Sequence, residues 1–109
     1  MLNKKIAIVT GGAGFIGSHM VDLLIKKNFR VIVIDDLSGG DIKNLIFHKK
    51  NKNLKLIKKD INKLLLKDLK ISRAEYVYHF AGKGDIVPSI ENPEKYISTN
   101  VFGTLKILQ

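Results

Sequence analysis

The stretch Thr10-Gly11-Gly12-Ala13-Gly14-Phe15-Ile16-Gly17-Ser18-His19 has the residue types and spacing that could do chemistry. The apolar run Ile6-Ala7-Ile8-Val9 precedes it and Met20-Val21-Asp22-Leu23-Leu24-Ile25 follows, so it reads as a glycine turn between a buried strand and a helix. Small residues let a backbone approach phosphate oxygens within hydrogen-bonding range. The helix N-terminus adds unpaired N–H groups and a favourable dipole, so the chemistry on offer is recognition of a dinucleotide pyrophosphate. The glycines fit two registers, Gly12-x-Gly14-x-x-Gly17 and Gly11, Gly14 and Gly17 at steps of three. A tight turn with no ligand is the competing reading, and a simple turn rarely needs so many glycines.

A second group of residues supports the ligand. A dinucleotide site needs an acid about 20 residues beyond the glycines to accept hydrogen bonds from the adenosine ribose. Asp35 stands there, at the end of Arg30-Val31-Ile32-Val33-Ile34-Asp35, with Asp36, Leu37, Ser38, Gly39 and Gly40 behind it. A carboxylate at that point repels a 2′-phosphate and no arginine follows to neutralise one, which favours NAD over NADP. Asp36 and Ser38 are the better candidates to cap the next helix. Asp60 with Ile61 could reach and pack on adenine, or Asp60 could cap a helix beginning near Lys63; the residues alone leave these open. After a fourth apolar run, Glu75 to Phe80, the small residues of Ala81-Gly82-Lys83-Gly84 would let the chain pass close to a nicotinamide-side ribose. His79 has no acid or nucleophile near it in sequence and reads as a packed, hydrogen-bonded histidine, as do His19 and His48.

Those residues need elements to position them. Lys4 to Thr10 and Arg30 to Asp35 are too continuously apolar for half-exposed strands and predict a parallel sheet buried on both faces. The helix from about Phe15 to Lys27 is expected to turn Ile16, Met20, Leu23 and Leu24 inward, with Asn28 as its stop signal. Asp41 to about Lys50 reads as a short basic helix, Asn51-Lys52-Asn53 as a turn and Leu54 to Lys59 as a third strand. A last amphipathic helix runs from about Glu94 through Tyr96, Ile97, Val101, Leu105 and Leu108 and is still in progress at Gln109, which reads as truncation.

At 109 residues the chain is one small domain, short for a complete doubly wound nucleotide-binding unit. It has no cysteine, so disulfide and thiolate chemistry are excluded. No combination of paired Cys and His suggests a metal site. The apolar run behind Lys4 and Lys5 is too short for a signal core or a membrane span, so a cytoplasmic protein is expected. Nineteen Lys and Arg against ten Asp and Glu give +9. The excess is spread through Lys49, Lys50, Lys52, Lys55, Lys58, Lys59, Lys63, Lys67 and Lys70 and reads as a solvated face rather than a nucleic-acid surface.

Taken together the sequence resembles the extended short-chain dehydrogenases/reductases, in particular the NAD-dependent sugar-nucleotide epimerases and dehydratases. Thr10 through His19, Asp35-Asp36-Leu37-Ser38 with Gly40, Asp60-Ile61, and His79-Phe80-Ala81-Gly82 followed by Asn92-Pro93 and Thr99-Asn100-Val101 with Gly103-Thr104 carry the likeness across residues 1–109. The steps-of-three glycine register belongs to that family. The resemblance implies an α/β fold with a doubly wound, Rossmann-type parallel sheet, cut off after about four strands. It implies that Gly11, Gly14, Phe15, Ile16 and Gly17 hold the pyrophosphate, Asp35, Asp36, Leu37, Ser38 and Gly40 surround the ribose, and Asp60 and Ile61 meet the adenine. Phe80, Ala81, Gly82 and Lys83 would line the nicotinamide side, with Thr99 contacting the cofactor.

The family's catalytic pair, Tyr-x-x-x-Lys, is not found. Four residues after Tyr76, Tyr78 and Tyr96 stand Phe80, Gly82 and Asn100, so no catalytic residue is named and the 109 residues alone are expected to be inactive. The intact protein is expected to be a homodimer acting on a nucleoside-diphosphate sugar. A non-catalytic NAD-binding module and a basic nucleic-acid binder are the rival readings. Without a fifth strand, Tyr76 to Phe80 would be an apolar open edge.

Overall fold

A computed structural model describes residues 4–69, 74–81, 94 and 107. Four parallel strands, β1 (Ile6–Thr10), β2 (Arg30–Ile34), β3 (Leu54–Ile57) and β4 (Tyr76–His79), form one sheet in the order β3-β2-β1-β4. The register pairs Ile8 with Ile32 and with Val77, and Val33 with Leu56. The connection from β1 runs to β2 on one side and the chain returns to β4 on the other. A crevice therefore opens above the carboxyl end of β1, where ligands of doubly wound sheets bind.

Strand alternation divides the core. Ala7, Val9, Val31 and Val33 face one side with Val21 and Leu24 of helix α1 (Phe15–Lys26) and with Leu45. Ile8, Ile32 and Ile34 face the other side with Ile61 and Leu64. Burial on both faces is what the unbroken apolar runs predict, and it fixes the sheet firmly beneath the turn at its carboxyl end.

Helix α1 differs from the sequence expectation in its inward face. Ile16 and Leu23 are exposed, whereas Gly17, Ser18, Val21 and Leu24 are buried. Close packing of the helix start against the turn demands small side chains there, and this overrides the apolar pattern. The stop at Asn28 is as expected: its φ of 70° is left-handed, and the Asn28 and Phe29 amides donate to the Ile25 and Leu24 carbonyls, closing the helix end.

The basic segment after β2 is a 3₁₀ helix, Ile42–His48, rather than an α-helix. Only Leu45 of it is buried, so it has no apolar stripe to pack through. Its cap is Asp41, whose carboxylate accepts from the Lys43 amide, and neither Asp36 nor Ser38 fills that place. Near Lys63 the chain forms a 3₁₀ turn, Ile61–Lys63, and then the single turn α2 (Leu66–Leu69). Of the helix expected after residue 93 only Glu94 and Ile107 are described, and both are helical. No helix among the described residues is long and apolar enough to cross a membrane.

Candidate functional site

The glycine turn leaves β1 at Gly11 and enters α1 at Gly14. Gly11 has a φ of 69°, and a Cβ on it would lie 2.8 Å from the Phe80 carbonyl carbon and the Ala81 nitrogen. A Cβ on Gly17 would overlap the Gly11 carbonyl oxygen. These two positions let α1 start directly against the strand ends. Gly14 caps α1 without any side-chain hydrogen bond, and no acid occupies the first turn. The amides of Phe15, Ile16 and Gly17 therefore head a dipole with no acid in the helix's own first turn to meet it. The Phe15 and Ile16 side chains project into solvent, 78% and 65% exposed, and Phe15 meets the edge of His19.

Asp35, the first residue after β2, is buried at 8% exposure. Its Oδ2 accepts the Ala13 amide at 3.0 Å and its Oδ1 accepts the Leu37 amide at 2.7 Å. The acid thus stands at the mouth of the glycine turn. Each oxygen keeps a further lone pair for hydroxyl donors. Leu37 is left-handed at φ 65°, an uncommon conformation for a non-glycine residue. It is held there by the Asp35 bond, by Asp36 Oδ1 accepting the Ser38 amide, and by packing of its own side chain on the core. Gly40 passes so close that a Cβ would lie 2.8 Å from the Ala13 carbonyl carbon and 3.0 Å from Asp35 Oδ2.

The sequence did not mark Ala13, Asp41 or Asn44, yet they complete this corner. The Ala13 carbonyl accepts the Asp41 amide at 3.0 Å and the Asn44 carboxamide Nδ2 at 2.7 Å. Asp41 could have been found as a capping residue before an apolar position; nothing in the pattern distinguishes Asn44.

Asp60 lies beyond β3, where its Oδ1 accepts the Asn62 amide and caps the 3₁₀ turn, while Ile61 is buried in the second core cluster. Asp60 thus caps a 3₁₀ turn that begins at Ile61, ahead of the helix start expected near Lys63. On the opposite flank, the Phe80 amide donates to the Thr10 carbonyl and the Ala81 amide to Thr10 Oγ1 at 3.2 Å. Thr10 Oγ1 also shares a hydrogen bond with His79 Nδ1; in the neutral tautomer that carries its proton on Nε2, Nδ1 accepts the Thr10 hydroxyl. Burial lowers the His79 pKa and favours the same neutral form. His48 bonds Asp22 of α1 through Nε2 at 2.6 Å. All three histidines are thus in structural contacts. Gly82, Lys83 and Thr99 lie outside the described residues.

Among the lysines, Lys49, Lys50, Lys52, Lys55, Lys58, Lys63 and Lys67 are exposed. Lys59 pairs with Asp68 at 2.8 Å, and that contact, with the Leu65 amide, lowers the Asp68 pKa. Among the described residues no three His, Asp or Glu side chains group as a metal site.

Comparison with known proteins follows the same lines. The family described as GDP-mannose 4,6 dehydratase matches residues 8–109. The chain is 38% identical to UDP-glucuronic acid decarboxylase 4 of Arabidopsis thaliana over 98% of its length and 24% of that protein's. Among solved structures, the UDP-N-acetylglucosamine 4-epimerase of Methanobrevibacter ruminantium, in complex with UDP-N-acetylmuramic acid, superposes with a TM-score of 0.86 at 36% identity, over 98% of this chain and 34% of that one. The UDP-glucuronic acid 4-epimerase of Bacillus cereus, in complex with UDP-glucuronic acid and NAD, gives 0.84 at 29% identity, over 94% and 34%. The chain spans about a quarter to a third of the length of these relatives.

Proposed function

Because this chain belongs to the GDP-mannose 4,6 dehydratase family, we propose that its residues form the adenosine and pyrophosphate half of the NAD site of a nucleotide-sugar epimerase, decarboxylase or dehydratase. The observation that carries the reading is the hydrogen bond from the Ala13 amide to Asp35 Oδ2, which sets a buried carboxylate beside a helix start that no side chain caps. A vicinal diol fits the carboxylate and an anion fits the helix start. NAD, when bound, would supply the hydride acceptor for transient oxidation of a sugar carbon.

In this reading the Phe15, Ile16 and Gly17 amides bind the pyrophosphate, and Gly11 and Gly14 keep the approach open. Asp35 accepts the ribose hydroxyls, with Asp36, Leu37, Ser38 and Gly40 shaping the loop around them. Asp60 and Ile61 border the adenine. Phe80 and Ala81, with Gly82, Lys83 and Thr99, serve the nicotinamide side. The catalytic tyrosine and lysine come from outside these 109 residues, which alone would turn over no sugar. The intact protein is a cytoplasmic homodimer using a nucleoside-diphosphate sugar.

Calorimetric titration of the intact protein with NAD and NADP tests the reading. NAD is expected to bind, and NADP more weakly, because the Asp35 carboxylate opposes a 2′-phosphate. Equal affinity for the two, or no binding of either, would falsify it.

A further inference from the structure

Ala13 is fully buried, and both peptide groups that flank it are held from outside the glycine turn. Its amide donates to Asp35, and its carbonyl accepts both the Asp41 amide and the Asn44 carboxamide. A peptide group is planar, so a carbonyl fixed by two donors also fixes the N–H on its other side. That N–H belongs to Gly14, which donates back to the Gly11 carbonyl at 3.1 Å. Gly14 is the last residue before α1, so its orientation determines where the first helical amides aim.

The turn cannot hold this geometry by itself. Gly11, Gly12 and Gly14 bring more backbone freedom than any other residue type, and ordering them only when a ligand arrives would weaken binding. The 3₁₀ helix that carries Asn44 is well placed to order them in advance. Its start is capped by Asp41 and its end is tied to α1 through His48 and Asp22. It therefore braces the turn against the same helix whose N-terminus the turn introduces.

We propose that Asn44 is a positioning residue for phosphate recognition: with the Asp41 amide, its carboxamide locks the Ala13–Gly14 peptide so that the α1 amides are aimed before the diphosphate binds. The inference rests on the cofactor reading above and adds a residue that touches neither ribose nor phosphate. Asn44 is exposed, so replacing it leaves the core intact.

The test uses the full-length protein with Asn44→Asp, which keeps the shape and replaces the donor by an acceptor, and Asn44→Ala. Affinities for adenosine, ADP and NAD are measured by calorimetry or NMR titration. Leaving the carbonyl without its side-chain donor should weaken ADP and NAD about tenfold in both variants while adenosine changes by less than about threefold. A role in general stability alone would lower all three together, and that result overturns the proposal. So does unchanged ADP affinity in both variants. If the unaltered protein binds neither ADP nor NAD, the cofactor reading falls too, an outcome distinct from intact binding that ignores Asn44.

Discussion

The two flanks of the β1 carboxyl end are stitched to it by different chemistry. On the β2 flank the Gly11 amide donates to the Ile34 carbonyl, Asp35 takes the Ala13 amide, and Asp41 and Asn44 take the Ala13 carbonyl. On the β4 flank, among the described residues, the Thr10 carbonyl holds Phe80 and the Thr10 hydroxyl joins Ala81 to His79. The first flank fixes the turn with a buried carboxylate and several backbone partners. The second, among the described residues, adds one side-chain hydroxyl to its backbone bond. The rigid flank is the one assigned to the adenosine half of the cofactor, where the ligand stays the same whatever the sugar. In the proposed function the lighter one would serve the nicotinamide side.

If this contrast is real, substitutions on the β2 flank cost more. Asp35→Ala strands the Ala13 and Leu37 amides, and losing two bonds to a charged acceptor should cost about 3 kcal/mol of stability, read by denaturant unfolding of the intact protein. NAD binding should be lost with it. Gly17→Ala should come next, at about 2 kcal/mol, because its Cβ meets backbone that has no room to yield. Gly39→Ala, with nothing within 4 Å of the added carbon, is the matched control and should leave unfolding unchanged. Thr10→Val removes the hydroxyl at nearly constant volume and should cost only about 1 kcal/mol, with Thr10→Ser restoring most of it. Thr10→Val as damaging as Asp35→Ala would erase the distinction between the flanks.

How far the sequence foretold these flanks depended on which physical signal each residue carries. β1 and β2 were legible because a doubly buried strand leaves an unbroken apolar run, and the place of Asp35 beside the glycine turn because it follows β2 directly. The inward face of α1 was misread because Ile16 and Leu23 recur at helical spacing, whereas the positions facing the turn had to be small. The short basic helix is legible as a helix but not as 3₁₀, because length and charge do not reveal that only Leu45 is anchored. Asn44 was invisible: its partner is a backbone carbonyl 31 residues earlier, and a carbonyl has no sequence signature.

The smallest expected effect is also the most selective for the β4 flank. Burial depresses the His79 pKa below its ordinary 6.5, so the folded protein binds fewer protons at this site than the unfolded chain when the pH lies between the two values. The contribution of neutral His79 is therefore fully present above the unfolded pKa and is lost as pH falls through the folded one. Protonation leaves a proton on Nδ1, so that it donates to Thr10 Oγ1 in competition with the Ala81 amide. His79→Asn, which can keep an acceptor near Nδ1 without titrating, should remove this part of the acid sensitivity, measured as unfolding midpoint against pH. The hydrogen bonds on Asp35 do not pass through an imidazole. The β2 flank should consequently hold its hydrogen-exchange protection at Ala13 and Leu37 across the same mildly acidic window in which Phe80 and Ala81 lose theirs. Parallel loss at all four amides would mean that the turn opens as one unit and that its flanks are not independently held.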